Sequence, residues 1–140
     1  MQQVNTFYTL KNNDILRHKY KEATSEKVFT VDHCLFPKVA FTQKGRIYLI
    51  GGSKNAAQTD LINSTYEVTL GPGNRSNLAQ KANMKTARVG FGCMVDNYGE
   101  RIFAIGGSTS KISATQECEV YDVAANRWTA LPKLSEPKFS

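Results

Sequence analysis

The chain has 140 residues, 41% hydrophobic and 21% charged, with 18 Lys and Arg against 12 Asp and Glu for a formal net charge of +6. That length supports one ordinary domain, and that balance excludes a chain disordered by composition. The positive charge favours an acidic partner. Residues 1–6 lack the order of a secretory leader, and no run approaches the ~18 uncharged apolar residues of a membrane span, so no membrane partner is expected.

In chain order, residues 1–37 come first. Phe7-Tyr8-Thr9-Leu10, a turn at Asn12-Asn13-Asp14 and a strand over 15–20 read as a hairpin. Residues 27–31 read as another strand. The stretch 15–27 has weak helical character, reduced further by Tyr20, Thr24 and Ser25. Residues 38–87 then spell four strands: 38–42, 46–50 after the Gln43-Lys44-Gly45 turn, 64–70, and 77–81 after Gly71-Pro72-Gly73-Asn74. Residues 88–132 repeat the plan with strands at 89–95, 101–105, 116–123 and 127–131, and with a polar loop over 108–114. Residues 133–140 read as the opening of a further unit.

The two middle segments share a written motif. Arg46-Ile47-Tyr48-Leu49-Ile50-Gly51-Gly52 matches Arg101-Ile102-Phe103-Ala104-Ile105-Gly106-Gly107 in residue type, 55 positions on. In both, a tyrosine follows the second glycine by 14 positions: Tyr66 after Gly52, Tyr121 after Gly107. A repeat of about 50 residues made of short strands means a modular β architecture. Glycine tolerates backbone angles that other residues avoid, so a doublet can end a strand and turn the chain sharply.

Gly106, Gly107, Tyr121-Asp122 and Trp128, followed by Leu131-Pro132, resemble the kelch repeat. Residues 83–88 resemble that family's connection into the next unit. The earlier copy has Gly51, Gly52 and Tyr66, but its tryptophan position falls on Gly73, with Leu78 as the substitute. The resemblance covers about residues 36–140. It implies an all-β fold, a partial kelch-type β-propeller: two four-stranded antiparallel blades plus part of a preceding one. Trp128 and Tyr121 are expected to fill the wedge between sheets, so that Trp128→Ala or Gly107→Val unfolds the module. Propellers use about 4–8 blades. The remaining blades are expected from the same longer chain or from other subunits.

Loops at the ends of a rigid β scaffold are where binding concentrates. The loops after the doublets supply Lys54, Asn55, Gln58 and Asp60 in one unit and Ser108, Thr109, Ser110 and Lys111 in the other. No acid lies between Glu67 and Asp96, a stretch holding Arg75, Lys81, Lys85 and Arg88. Lys81 and Lys85 are candidates to meet an acidic or filamentous protein, while Arg88 reads as structural.

Catalysis is not indicated. His18 and His33 are the two histidines. If His33 and Cys34 lie on a strand they leave on opposite faces, a poor nucleophile–base pair. Cys34, Cys93 and Cys118 lack C-x-x-C spacing, which points to reduced buried thiols; no metal or cofactor is expected. The aromatics sit at core-like repeat positions instead of alternating with basic residues, which disfavours nucleic acid. The resemblance implies an interaction scaffold or adaptor, cytoplasmic and cytoskeletal or ciliary. The alternative is part of a propeller enzyme whose active residues lie outside this segment.

Overall fold

The computed structural model describes residues 5–71, 76–96, 98, 100–110 and 113–132. Gly73, Arg75, Lys111 and the expected unit at 133–140 lie outside the described residues. Within them, every regular element is a β-strand.

Strands β1 (Thr6–Lys11), β2 (Asp14–Lys19) and β3 (Thr24–Thr30) form an antiparallel sheet in that order. The stretch with weak helical character is therefore strand, turn and strand. Asn12 makes the β1–β2 turn at φ 56°, a left-handed angle that asparagine tolerates better than most residues. Strands β4 (Lys38–Phe41), β5 (Ile47–Ile50), β6 (Thr65–Leu70) and β7 (Ser76–Gln80) form the second sheet. In the third sheet, β8 (Gly92–Asp96) pairs with β9 (Arg101–Ile105). After β9 the post-doublet segment makes a small hairpin of β10 (Ser108–Ser110) and β11 (Ser113–Ala114). Then β12 (Cys118–Asp122) pairs with β9, and β13 (Arg127–Leu131) closes the outer edge.

Two expectations need correction here. The 108–114 segment was read as loop because its residues are small and polar; its two short strands pair through their backbones, which needs no apolar side chains. The first strand of the second unit begins at Gly92, not 89, because the chain turns at Gly90 (φ 64°) and Val89 makes only an isolated bridge with Ser108.

The two four-stranded sheets meet through their first strands, β4 and β8. Sheets stacked this way, inner strand beside inner strand, are propeller blades. The stacking explains the burial of β5, whose four residues are all buried. Alternate side chains leave a strand on opposite faces. Ile47 and Leu49 therefore join a core with Ile15, Val31, Cys34 and Val68, shared with the N-terminal sheet. Tyr48 and Ile50 join another with Ile102, Ala104, Tyr121 and Trp128, shared with the next blade. A strand packed on both faces reads as a continuous apolar run, as 47–50 does.

Candidate interaction surface

The linker between the blades, residues 81–91, is strapped down along its length. Trp128 Nε1 donates to Thr65 Oγ1 and to the Ala82 carbonyl, each at 3.0 Å. Its ring lies 5.2 Å from that of Tyr121, which meets Tyr48 edge-on at 5.8 Å. The wedge between blades is thus filled by the aromatics the repeat pattern singled out. Asn126 Oδ1 accepts from the Tyr121 hydroxyl at 2.7 Å and from the Ala82 N–H at 2.9 Å. Burial pushes the Tyr121 phenol well above its ordinary pKa, so it stays a donor.

Further along, Arg88 is fully buried and pairs with Glu119 at 2.8 Å. Its other terminal nitrogen donates to the carbonyls of Gly106 and Glu117 at 2.9 and 2.8 Å. Glu119 also accepts the N–H groups of Lys85 (2.7 Å) and Thr86 (3.2 Å). Arg88 is therefore structural, as expected from the sequence. Its carbonyl accepts from the Gly52 N–H at 3.2 Å, which ties the first doublet to the same node.

The doublets allow this close approach. A Cβ on Gly51 would stand 2.7 Å from the Arg88 carbonyl oxygen, and one on Gly107 2.7 Å from Phe91 Cβ. Both residues also have positive φ, 64° and 91°. Space and conformation together exclude a side chain there.

Tyr66, the earlier counterpart of Tyr121, lies on β6 against the His33 ring at 4.7 Å. Tyr121 pairs in register with Trp128, whereas Tyr66 pairs with Gln80. Leu78 faces Val68, two residues earlier on β7, and packs onto the N-terminal core. The expected substitution for tryptophan is thus offset by one step of the sheet face, and His33 covers Tyr66 instead.

His33 and Cys34 lie in the linker after β3 and not on a strand, so the reason given for their poor pairing changes. His33 turns toward Tyr66, while Cys34 Sγ lies 3.7 Å from the Gly51 carbonyl. Burial lowers the His33 pKa and raises Cys34 to about 11, leaving a neutral ring and a protonated thiol. His18 is held elsewhere, between Thr9 (2.7 Å) and Ser25 (2.8 Å). Among the described residues no three His, Cys, Asp or Glu side chains are grouped to hold a metal.

The two post-doublet loops converge on a groove of about 560 Å³. Its walls are Gln58, Thr59, Asp60 and Leu61 from one loop and Thr109 and Ser110 from the other, with Ala87 at the linker. The first wall is stiffened by Asn55. Its side chain donates to Thr59 Oγ1 at 2.7 Å and accepts from the Thr59 N–H at 2.9 Å. Gln58 turns the chain at φ 59°. In the second wall the buried Ser108 hydroxyl lies between the carbonyls of Ser110 and Ser113, so it shapes the hairpin.

Gln58, Thr109 and Ser110 thus come together across one groove. Lys54 stands exposed beside it, Asn55 works inside the loop, and Ser108 lies beneath. Lys85 is exposed on the linker, whereas Lys81 turns back to Glu67 at 3.6 Å. Sequence reasoning did not single out Leu61, Thr59 or Ala87, whose types carry no signal of their own.

The kelch motif model matches residues 87–135, the second blade and its linker. That segment carries a kelch repeat. The chain's curated relatives include Beta-scruin of Limulus polyphemus, 28% identical over 97 residues, which covers 66% of this chain and 10% of that protein. The chain therefore spans about a tenth of the length of the relative it matches. Among solved structures it resembles a fungal alcohol oxidase of the AA5 family determined in complex with copper. The TM-score is 0.72 at 17% identity, over 97% of this chain and 31% of that one. At that identity the likeness is one of fold.

Proposed function

We propose that this kelch-repeat chain is a protein-interaction scaffold, cytoplasmic and associated with a filament system, whose post-doublet loops grip a partner segment. The observation that carries the reading is the groove between Gln58–Leu61 and Thr109–Ser110. Its size falls within the roughly 300–1,000 Å³ typical of binding clefts. Its walls combine hydroxyls, an amide and one carboxylate with the apolar side chains of Leu61 and Ala87, on loops held by their own hydrogen bonds, which suits an extended peptide. Lys54, exposed on the first loop, and Lys85, exposed on the linker, supply attraction to an acidic filament surface.

In this reading residues 38–87 and 88–132 are successive blades, residues 1–37 belong to a preceding one and 133–140 open another. Other blades, from a longer chain or from other subunits, continue the stack. Met94 on the second blade is 60% exposed where the matching Ala40 is 2% exposed under its neighbour, which supports that continuation.

Co-sedimentation with polymerised actin and with microtubules tests the filament. Binding to one of them should weaken as salt rises, because exposed charges are screened. Thr109→Trp, which fills the groove, should release the chain. Retention of the Thr109→Trp variant would remove the groove from the reading, and failure of the unmodified chain to bind either polymer would remove the filament.

A further inference from the structure

The linkers that enter the two blades have the same backbone plan. Leu35 exchanges both backbone hydrogen bonds with Ser53, at 2.6 and 2.8 Å, and Val89 does the same with Ser108, at 3.1 and 2.9 Å. The next residue turns left-handed in both, at φ 57° and φ 64°. In the second blade that residue is Gly90. In the first it is Phe36, directly before Pro37.

A left-handed angle on a bulky residue is an outlier, since its Cβ crowds the backbone. A following proline restricts the residue further. Residues held in such conformations cluster where the fold retains them for a purpose other than stability. Glycine at this position would meet the turn without strain, as Gly90 shows. The phenyl ring is also not buried in return: Phe36 is 45% exposed, while the residues that follow in both linkers, Pro37 and Phe91, are buried.

We propose that Phe36 is an anchor that inserts its exposed ring into an apolar socket on a protein partner. It lies beside the first post-doublet loop, because Leu35 is bridged to Ser53 and Lys54 follows. The exposed Lys54 amine has no ion-pair partner among the described residues, and it suits an acidic group at the rim of that socket. Aromatic side chains dominate such contacts because they offer a large rigid apolar area with few rotamers to freeze. The partner thus meets two features at one end of the stack, the polar groove and this ring. The inference rests on the scaffold reading above but concerns a different residue.

The test compares the unmodified chain with Phe36→Gly, Phe36→Asn and Thr109→Trp, by thermal unfolding and by co-sedimentation with polymerised actin and microtubules. Glycine and asparagine both tolerate the left-handed angle. The Phe36 variants should melt at or above the unmodified chain and bind the polymer at least tenfold more weakly. Melting clearly below the unmodified chain would make the ring part of the core and overturn the inference. Unchanged binding of the Phe36 variants alongside release of Thr109→Trp would also overturn it, with the groove reading intact. If the unmodified chain binds neither polymer, the filament reading falls and Phe36 as an anchor on a filament falls with it.

Discussion

The two blades share a plan but not a burial pattern. In the first, Ala40 is 2% exposed, tucked under the second blade. Met94, which holds the matching register position on β8, is 60% exposed. Ala40 pairs with Tyr48, and Met94 with Phe103, the residue that matches Tyr48 in the repeat. Tyr48 is buried at 1%, whereas Phe103 is only half-buried. The same strand therefore reads as core or as surface according to what stacks on it. A blade is not a self-sufficient unit: its stability is a sum of its own sheet and the faces its neighbours cover.

The sharpest way to break the comparison is to place a charge at both matched positions. Ala40→Lys should unfold the blade pair, because it puts an unpaired ammonium and four extra methylenes into a closed interface. Met94→Lys should change stability by no more than about 0.5 kcal/mol in this chain, like an ordinary surface substitution. Circular dichroism melts of both variants read this directly. A large loss for Met94→Lys would mean that the second face is covered. Gly107→Val belongs with Ala40→Lys in size, since its added atoms meet Phe91 and Val89 backbone at under 3 Å.

The wedge and the buried ion pair follow. Trp128→Ala should cost about 3–5 kcal/mol, read from denaturant midpoints. Part of that loss is the cavity, and part is the two acceptors, Thr65 and the Ala82 carbonyl, left without their donor. Arg88→Met should cost a similar ~3–5 kcal/mol because it strands the Glu119 carboxylate in the interior. The double variant Arg88→Met with Glu119→Leu should recover part of this, since no buried charge remains. A double variant that unfolds as readily as the single would show that the pair's bonds to the Lys85 and Thr86 backbone matter more than its charge balance.

Much of this architecture was legible because local chemistry and repeat spacing agreed. The four strands of the first blade fall within a residue or so of their turn residues and apolar runs. The doublets marked the places where backbones cross. What was not legible depends on a neighbour. The 108–114 hairpin forms because Ser108 bridges Val89, a contact between distant residues. Gln80 takes the register place of Trp128 because β6 runs four residues past Tyr66 to Leu70, whereas β12 runs one past Tyr121 to Asp122, and the glycine-to-tyrosine spacing does not report where a strand ends. Asn55 looked like an exposed loop polar group; its role inside the loop needs the positions of Ser53 and Thr59. Phe36 carried no signal at all, because a left-handed angle is invisible until the matching Gly90 is superposed on it.

The smallest effect concerns the side of the first blade that faces the N-terminal sheet. Burial against Tyr66 holds the His33 pKa below its ordinary value of 6.5, with Asp32 opposing weakly. The unfolded chain, whose imidazole is free, takes up a proton first as pH falls. The folded state therefore loses stability as pH drops from 6.5 toward the lower folded pKa, and nothing is gained or lost from this group above neutrality. His33 is only half-buried, so solvent screening keeps the loss well under the ~1.4 kcal/mol that a full pKa unit carries. Melting curves between pH 7.5 and about 5 should fall more steeply for the unmodified chain than for His33→Gln, which cannot titrate. No histidine occupies the Trp128 wedge, so the second blade should show no matching histidine-dependent slope. Equal slopes for the two chains would place the His33 ring in solvent in the folded state and leave Tyr66 covered by something else.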